Sequence, residues 1–300
     1  MTPKQTAFLL LSLMVAFTIT AGCISSPVHS TVPGEENLTL HFIAVGQADA
    51  ILIQQGDTYA LVDAGKPIKS DPDATDVLTY LSQQKIKTLD FLLLTHQDYD
   101  HIGSAADVLK KYPTNTVYDN GITHTSQTYE NLMETIADKN IRYGVLHKDD
   151  FIIDTQFENI TIHSIWPPAA RAKGTNPDIN KNSIVLRLVY GTQSAILMGD
   201  VEGDTELEIV GFGRTNCIST LIKIGHHGSK ASSTKHFLSK INPKYAVITT
   251  GENNYGHPAQ KTVDRIIDQV GNDNLYLTSS GTVIATTDGI HDWYITQEGF

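Results

Sequence analysis

The sequence predicts an α/β protein, a layered domain in which sheets are covered by helices and polar residues gather along one sheet edge. Three observations carry that expectation. Short apolar runs such as FLLL (91–94) and AILM (195–198) are continuous rather than alternating, which marks strands covered on both faces. After residue 200 the pattern becomes strand, loop, helix twice over, in TLIKIGHHGSKASSTKHFLSKI and YAVITTGENNYGHPAQKTVDRIIDQV. The apolar runs also end abruptly on histidine, aspartate or glycine, so ionisable side chains emerge where strands stop.

With 300 residues, 40% of them hydrophobic, the chain suits one large domain stabilised by its own core. The leader MTPKQTAFLLLSLMVAFTITAGC has one lysine and then an uncharged apolar run over 6–20, the form of a secretory signal. That run is short for a membrane span of about 20 residues. It ends in small residues directly before Cys23, which resembles a lipoprotein cleavage and lipidation site; an uncleaved anchor helix is the other reading. The expected organisation is a lipoprotein-type signal peptide at 1–22, a Ser- and Pro-containing tether at 23–37 and a globular body at 38–300. The body is expected outside the cytoplasm, lipid-anchored to the outer face of the cytoplasmic membrane or secreted. With Cys23 lipidated, Cys217 is the remaining thiol, so no internal disulfide framework is expected and Cys217 reads as a small buried hydrophobe.

Charge narrows the partners. Lys and Arg number 22 against 33 Asp and Glu, a net charge of −11 that falls by one more unit when the leader takes Lys4 with it. A protein that coats nucleic acid without regard to sequence shows the opposite balance, so any polyanion must be gripped locally.

The elements follow in order. From residue 38, LTLHFIAV, DAILIQQ and YALVDAG read as strands, the last two joined by a Gly56-Asp57 turn. A helix is expected at about 74–84, then the FLLL strand, then helices near 104–111 and 128–139. SIVLRLVYG and SAILMGD form a second hairpin around Gly191. ALVDAG and AILMGD each close an apolar strand on an aspartate, which sets Asp63 and Asp200 in related places and suggests a duplicated architecture.

The chemistry concentrates in THQDYDHIG, where His96, Asp98, Asp100 and His101 fall at a strand-to-helix junction. A turn leaving a strand bends closely spaced side chains toward one point, and imidazole with carboxylate is a ligand set for hard to borderline divalent metals. Further donors stand at other strand exits: Asp200 after AILMG, His226 and His227 after LIKIG, and His257 in YGHP.

HFIAVGQADAILIQ, LVDAG, LLLTHQDYDHIG, NKNSIVLRLVYG, AILMGD, IKIGHHGS and YGHP occur in the order seen in metallo-β-lactamase-fold hydrolases. The chain resembles above all the nuclease-type domain of ComEC competence proteins, over about residues 38–290. The resemblance implies an αββα sandwich of two mixed sheets flanked by helices, with a dinuclear metal site at the sheet edges. By position it puts His96 and Asp98 on a first metal, Asp100 and His101 on a second, and Asp200 between them. His257 is then the terminal ligand of the second site, and His227 or His226 assists the leaving group beside Asp100; exchange of these roles between the GHHG pair and His257 stays open. Asp63, Asp49 and Asn182 support the ligands from behind, and Ser229 and Lys230, in HHGSKASS, are candidates to hold phosphate oxygens at a helix N-terminus or simply to cap that helix.

Two departures bear on the metal. The usual His-x-His-x-Asp-His pattern has Asp98 at its second histidine, and the next motif's histidine is missing where Asn180, Asn182 and Ser183 stand. More oxygen donors favour Mn²⁺ or Mg²⁺, with Zn²⁺ also compatible. The implied function is an extracytoplasmic phosphodiesterase or nuclease acting on DNA or nucleotides through a hydroxide held by two divalent ions. The alternatives are a lactonase or β-lactamase-type hydrolase and a non-catalytic binding lipoprotein. No protein partner is implied.

Overall fold

The computed structural model describes residues 36–68, 74–171, 178–211 and 217–299. The leader, Cys23 and the tether up to residue 35 lie outside the described residues. Among those described, no helix is long and apolar enough to cross a membrane.

The chain starts with β1 (Leu38–Phe42) and the hairpin of β2 (Ile51–Gln55) and β3 (Thr58–Val62), turning at Gly56-Asp57 as expected. Helix α1 (Val77–Gln83) opens on Asp76, whose side chain accepts from the Thr79 amide. Then come β4 (Leu89–Leu93), the short α2 (Tyr99–Ile102), α3 (Ala105–Lys111), β5 (Thr114–Asp119), α4 (Gln127–Asp138) and β6 (Arg142–Val145). The second half runs through β7 (Ile160–Trp166), β8 (Val185–Tyr190), β9 (Gln193–Leu197), α5 (Gly203–Gly211), β10 (Leu221–Lys223), α6 (Lys235–Ile241), β11 (Tyr245–Ile248), α7 (Gln260–Val270), β12 (Leu275–Leu277), β13 (Thr282–Thr287) and β14 (Tyr294–Glu298).

Among the described residues these strands make an eight-stranded sheet, ordered β14-β13-β1-β2-β3-β4-β5-β6, and a six-stranded sheet, ordered β12-β11-β10-β9-β8-β7. Both are mixed. β2 and β3 pair antiparallel and β3 and β4 parallel, just as β8 and β9 pair antiparallel and β9 and β10 parallel. The duplicated plan suggested by ALVDAG and AILMGD is thus present in the pairing.

The period-two alternation of strands sorts side chains into layers. On β2, Ile51 and Ile53 face the second sheet while Leu52 faces α1; on β4, Phe91 and Leu93 face inward while Leu92 turns to the helices. One apolar layer joins the sheets, a second lies under α1, α3 and α4, and a third, with Phe237, Leu238, Ile241 and Ile266, lies under α5, α6 and α7. Cys217 is buried in that third layer. Since burying a large aliphatic or aromatic side chain contributes about 1.5–3 kcal/mol, the three layers are the main force holding the described residues together. The result is two sheets face to face with helices outside, as expected, and β3, β4, β9, β10 and β11 all discharge their C-terminal ends at one edge.

Candidate metal centre

Backbone geometry at that edge is set by a few left-handed residues. Asp63 follows β3 with φ of 56°, a conformation that aspartate tolerates better than most side chains. Its amide donates to the Leu93 carbonyl at 2.8 Å, which points its carboxylate toward the end of β4. There Oδ1 accepts from the Thr95 amide and Oδ2 from the Thr95 hydroxyl, each at 2.8 Å, and Oδ2 also lies 2.8 Å from His101 Nδ1. With its Nδ1 turned to Asp63, His101 aims Nε2 at the site, 3.4 Å from Asp200. Asp63 therefore lies behind His101, bonded to the ring nitrogen that faces away from the site.

On the second sheet Gly199 takes φ of 51°, and a Cβ there would stand 2.8 Å from the Ser183 Cβ, so only glycine turns this corner. The turn delivers Asp200, whose amide donates to the Ser183 hydroxyl at 3.1 Å. The same hydroxyl lies 3.3 Å from His96 Nδ1. Ser183, rather than Asn182, touches the site: the Asn182 side chain donates to the Asp178 carbonyl at 2.6 Å. His226 and His227 both have left-handed backbones, φ of 46° and 49°. Such residues cost about 1–2 kcal/mol apiece and persist where partners fix them. Here the His226 amide donates to the Gly199 carbonyl at 3.1 Å and His227 Nδ1 donates to the Thr249 carbonyl at 2.9 Å. His226 Nδ1 lies 2.9 Å from Glu202.

Asp200 sits at the centre. Its Oδ1 is 3.4 Å from His101 Nε2, and its Oδ2 is 4.0 Å from His96 Nε2, 3.6 Å from His226 Nε2 and 3.9 Å from His227 Nε2. Asp98 Oδ2 lies 3.4 Å from His96 Nε2, and Asp100 Oδ2 lies 3.2 Å from His227 Nε2. One donor atom each from Asp100, His101, Asp200 and His227 falls within 4.8 Å of the others, a group able to hold a metal ion. His227 thus stands where the sequence reading set His257. The His257 ring lies 5.4 Å from that of His226, on the cleft side, and its buried Nδ1 has no hydrogen-bond partner.

The residues fit a cation by their chemistry. His96 Nε2, His101 Nε2 and Asp200 Oδ1 are buried without hydrogen-bond partners. Acceptors facing acceptors at these distances repel unless a proton or a metal ion lies among them. The electrostatics agree. Burial alone lowers the affinity of His101 for a proton, yet Asp200 and Asp63 reverse this and hold its pKa well above the ordinary value. Burial likewise favours neutral Asp200, but His101 and His227 hold it well below the carboxylate range.

A buried ion pair lies behind this group. Lys223, fully buried, donates to Asp49 and, at 3.1 Å, to the Gly199 carbonyl. Asp49 Oδ1 also accepts from the Thr249 hydroxyl and lies 3.5 Å from His227 Nδ1. Sequence reasoning found Asp49 but missed Lys223, Thr95, Glu202 and Thr249. For Lys223 a signal existed: a lysine between Ile222 and Ile224 on the inward-facing side of a strand needs a buried partner.

The candidate anion site resolves differently. Ser229, buried, donates its hydroxyl to Glu202 at 2.6 Å, while Lys230 is exposed. Neither caps α6, whose N-cap is Thr234. The amides of Ser233 and Thr234 ahead of that helix donate to the carboxylate of Glu206. The chain's own acid thus occupies the N-terminus of α6.

An αββα sandwich with histidines and aspartates converging at the strand exits defines the class, and the superfamily's sequence pattern matches residues 43–252. The chain belongs to the metallo-beta-lactamase superfamily and has its hydrolase fold. Among curated proteins it is 30% identical to ComE operon protein 3 of Bacillus subtilis over 242 residues, covering 73% of this chain and 30% of that protein. It is also 30% identical to Recombination protein 2 of Haemophilus influenzae over 226 residues, 74% of this chain and 25% of that protein. The chain thus spans under a third of the length of these relatives. Among solved structures, the metallo-beta-lactamase fold protein YhfI from Bacillus subtilis superposes with a TM-score of 0.54 at 13% identity, covering 84% of this chain and 100% of that one. Igni18, a metallo hydrolase from Ignicoccus hospitalis, gives 0.53 at 12% identity, covering 88% and 99%. These two show the fold alone.

Proposed function

We propose that the chain is a metal-dependent phosphodiesterase, a nuclease acting on DNA or nucleotides, exported and held at the membrane through Cys23. The observation that carries the reading is the two-sided use of Asp200. Its Oδ1 faces His101 and its Oδ2 faces His96, His226 and His227, so one carboxylate stands within reach of two donor groups. His96 and Asp98 with His226 form the first; Asp100, His101 and His227 form the second. Each group sets two imidazoles against its own carboxylate and the shared Asp200, a mixed set that suits two divalent ions, Mn²⁺ or Zn²⁺, with Mg²⁺ also matched by the carboxylates. When bound, such ions supply Lewis acidity, acidifying water and offsetting charge that develops on a phosphoryl group.

The chain's own residues do the rest. Thr249 and Glu202 fix the Nδ1 atoms of His227 and His226, so both Nε2 atoms face Asp200. His257 then exchanges roles with the GHHG pair: it lines the cleft beside His226 and is placed to give a proton to the departing oxygen. Relatives whose names refer to competence and recombination support nucleic acid as the substrate.

The test is turnover. Protein loaded with Mn²⁺ or Zn²⁺ is expected to hydrolyse single-stranded DNA and a bis-aryl phosphate, and Asp200→Ala, confirmed folded by circular dichroism, to hydrolyse neither. Inactivity of the loaded wild type on both substrates removes the reading, and turnover of nitrocefin or a lactone instead reassigns the chain to carbonyl chemistry.

A further inference from the structure

We propose that the metal cleft continues into a stacking track for single-stranded nucleic acid, with Tyr99 and Tyr255 as the base platforms. The proposal rests on the phosphodiesterase reading and adds how the strand is gripped. Both tyrosines line the cleft of about 330 Å³ that contains Asp98, Asp200 and His257. Each is displayed to solvent, Tyr99 with 48% and Tyr255 with 77% of its surface exposed. They come from the two halves of the molecule: Tyr99 opens α2 after β4, and Tyr255 lies in the loop between β11 and α7.

The display is built rather than loose. The Asn253 carboxamide accepts from the amides of Tyr255 and His257, each at 3.1 Å, and donates to the carbonyls of Gly251 and His257 at 2.9 and 2.6 Å. Gln47, from the loop before β2, accepts from the Asn253 side chain at 3.1 Å and from the Thr250 hydroxyl at 3.1 Å. The loop is therefore closed on itself and pinned to the other sheet while its ring stands in water. An exposed aromatic ring on a fixed backbone loses little entropy when a flat partner covers it.

A second cavity of about 540 Å³ shares Gln47 and Tyr99 with the metal cleft and extends it past Lys66 and Glu252. Among the described residues lining the two cavities, Lys66 is the one Lys or Arg. Grip by many phosphate contacts is thus absent from this path, and the net charge of −11 opposes it. Stacking on bases supplies affinity that tolerates any sequence and does not itself require phosphate contacts. A duplex keeps its bases stacked on one another and offers these rings nothing, so the ligand class is a single strand or a short oligonucleotide.

Fluorescence anisotropy of the Mn²⁺-loaded protein tests this with a labelled oligothymidylate, its abasic counterpart and a duplex of equal length. Tyr99→Ala and Tyr255→Ala are each expected to weaken binding of the oligothymidylate roughly tenfold, and Tyr255→Phe to leave it unchanged. The abasic strand and the duplex are expected to bind weakly to every variant, and the salt dependence for the oligothymidylate to be shallow, with a slope on the order of −1. Equal binding of base-bearing and abasic strands, or full affinity in the double alanine variant, overturns the track while leaving hydrolysis to stand. Tyrosine-dependent binding without any cleavage supports the track and removes the phosphodiesterase reading instead.

Discussion

Lys223 and Asp49 form an ion pair with no solvent access, one residue from β10 and the other from the loop ahead of β2, so the pair joins the two sheets behind the metal centre. Burial alone works against both charges. Even so, Asp49 raises the Lys223 pKa and Lys223 lowers that of Asp49, so both remain ionised.

Breaking one side of the pair leaves the other charge stranded. Lys223→Met is expected to cost about 3–5 kcal/mol of folding free energy in metal-free protein, measured by urea unfolding. Lys223→Met combined with Asp49→Leu is expected to recover part of that loss, because no lone charge then remains. A single variant as stable as wild type would show that the pair does not hold the sheets together.

Asp63 accepts from Thr95 twice and orients His101 without facing the site itself. Asp63→Asn keeps the shape and removes the charge. Affinity for Zn²⁺ or Mn²⁺, read by competition with a chromophoric chelator, is expected to fall about 10–100-fold. Unchanged affinity would mean that His101 needs no partner to present Nε2.

His41, on β1, is expected to contribute to acid sensitivity. Its Nδ1 lies 2.9 Å from the Tyr80 hydroxyl and its Nε2 3.0 Å from Gln54 Oε1. Gln54 donates its amide to the Gly56 carbonyl at 3.2 Å, which fixes Oε1 as the atom facing His41 and so sets the neutral Nε2–H tautomer. Burial lowers the His41 pKa from 6.5 to about 4, with the Gln54 bond opposing the shift. The unfolded chain therefore binds this proton first as pH falls. The contribution of this group to stability is expected to be full above about pH 6.5 and to be lost progressively down to about pH 4, by roughly 3 kcal/mol in all. Replacing His41 with Gln is expected to flatten this limb in urea titrations between those pH values. An equally steep limb would assign the acid sensitivity to other groups.

Much of the site was legible in the sequence because its residues follow apolar strands directly. His96, Asp98, Asp100 and His101 leave β4, and Asp200 leaves β9 within three residues of its end, so strand recognition alone brings them to one edge. The histidine pair that faces Asp200 from the second sheet was not legible as such. Its choice depends on two successive left-handed residues at His226 and His227, which no local propensity favours and which the Gly199 and Thr249 carbonyls impose from other strands. Asn182 and Ser183 differ by one position at the exit of a short helical turn, and that single step decides which side chain meets His96. Nor did any local signal near Ser229 and Lys230 reveal that Glu206, on α5, reaches the amides of Ser233 and Thr234 ahead of α6 from elsewhere in the chain. The helices and hairpins fell close to their expected positions, since amphipathic spacing and Gly-containing turns are local signals.

The seam between the sheets gives the centre a mechanical meaning. His96 and His101 hang from one half and Asp200 and His227 from the other, so an ion shared among them acts as a rivet across the sandwich. At a free concentration one hundred times its dissociation constant, such a rivet adds about 2.7 kcal/mol against separation of the halves. For protein that carries such an ion, a chelator is expected to act as a mild denaturant, so metal supply would bear on how long the folded chain survives.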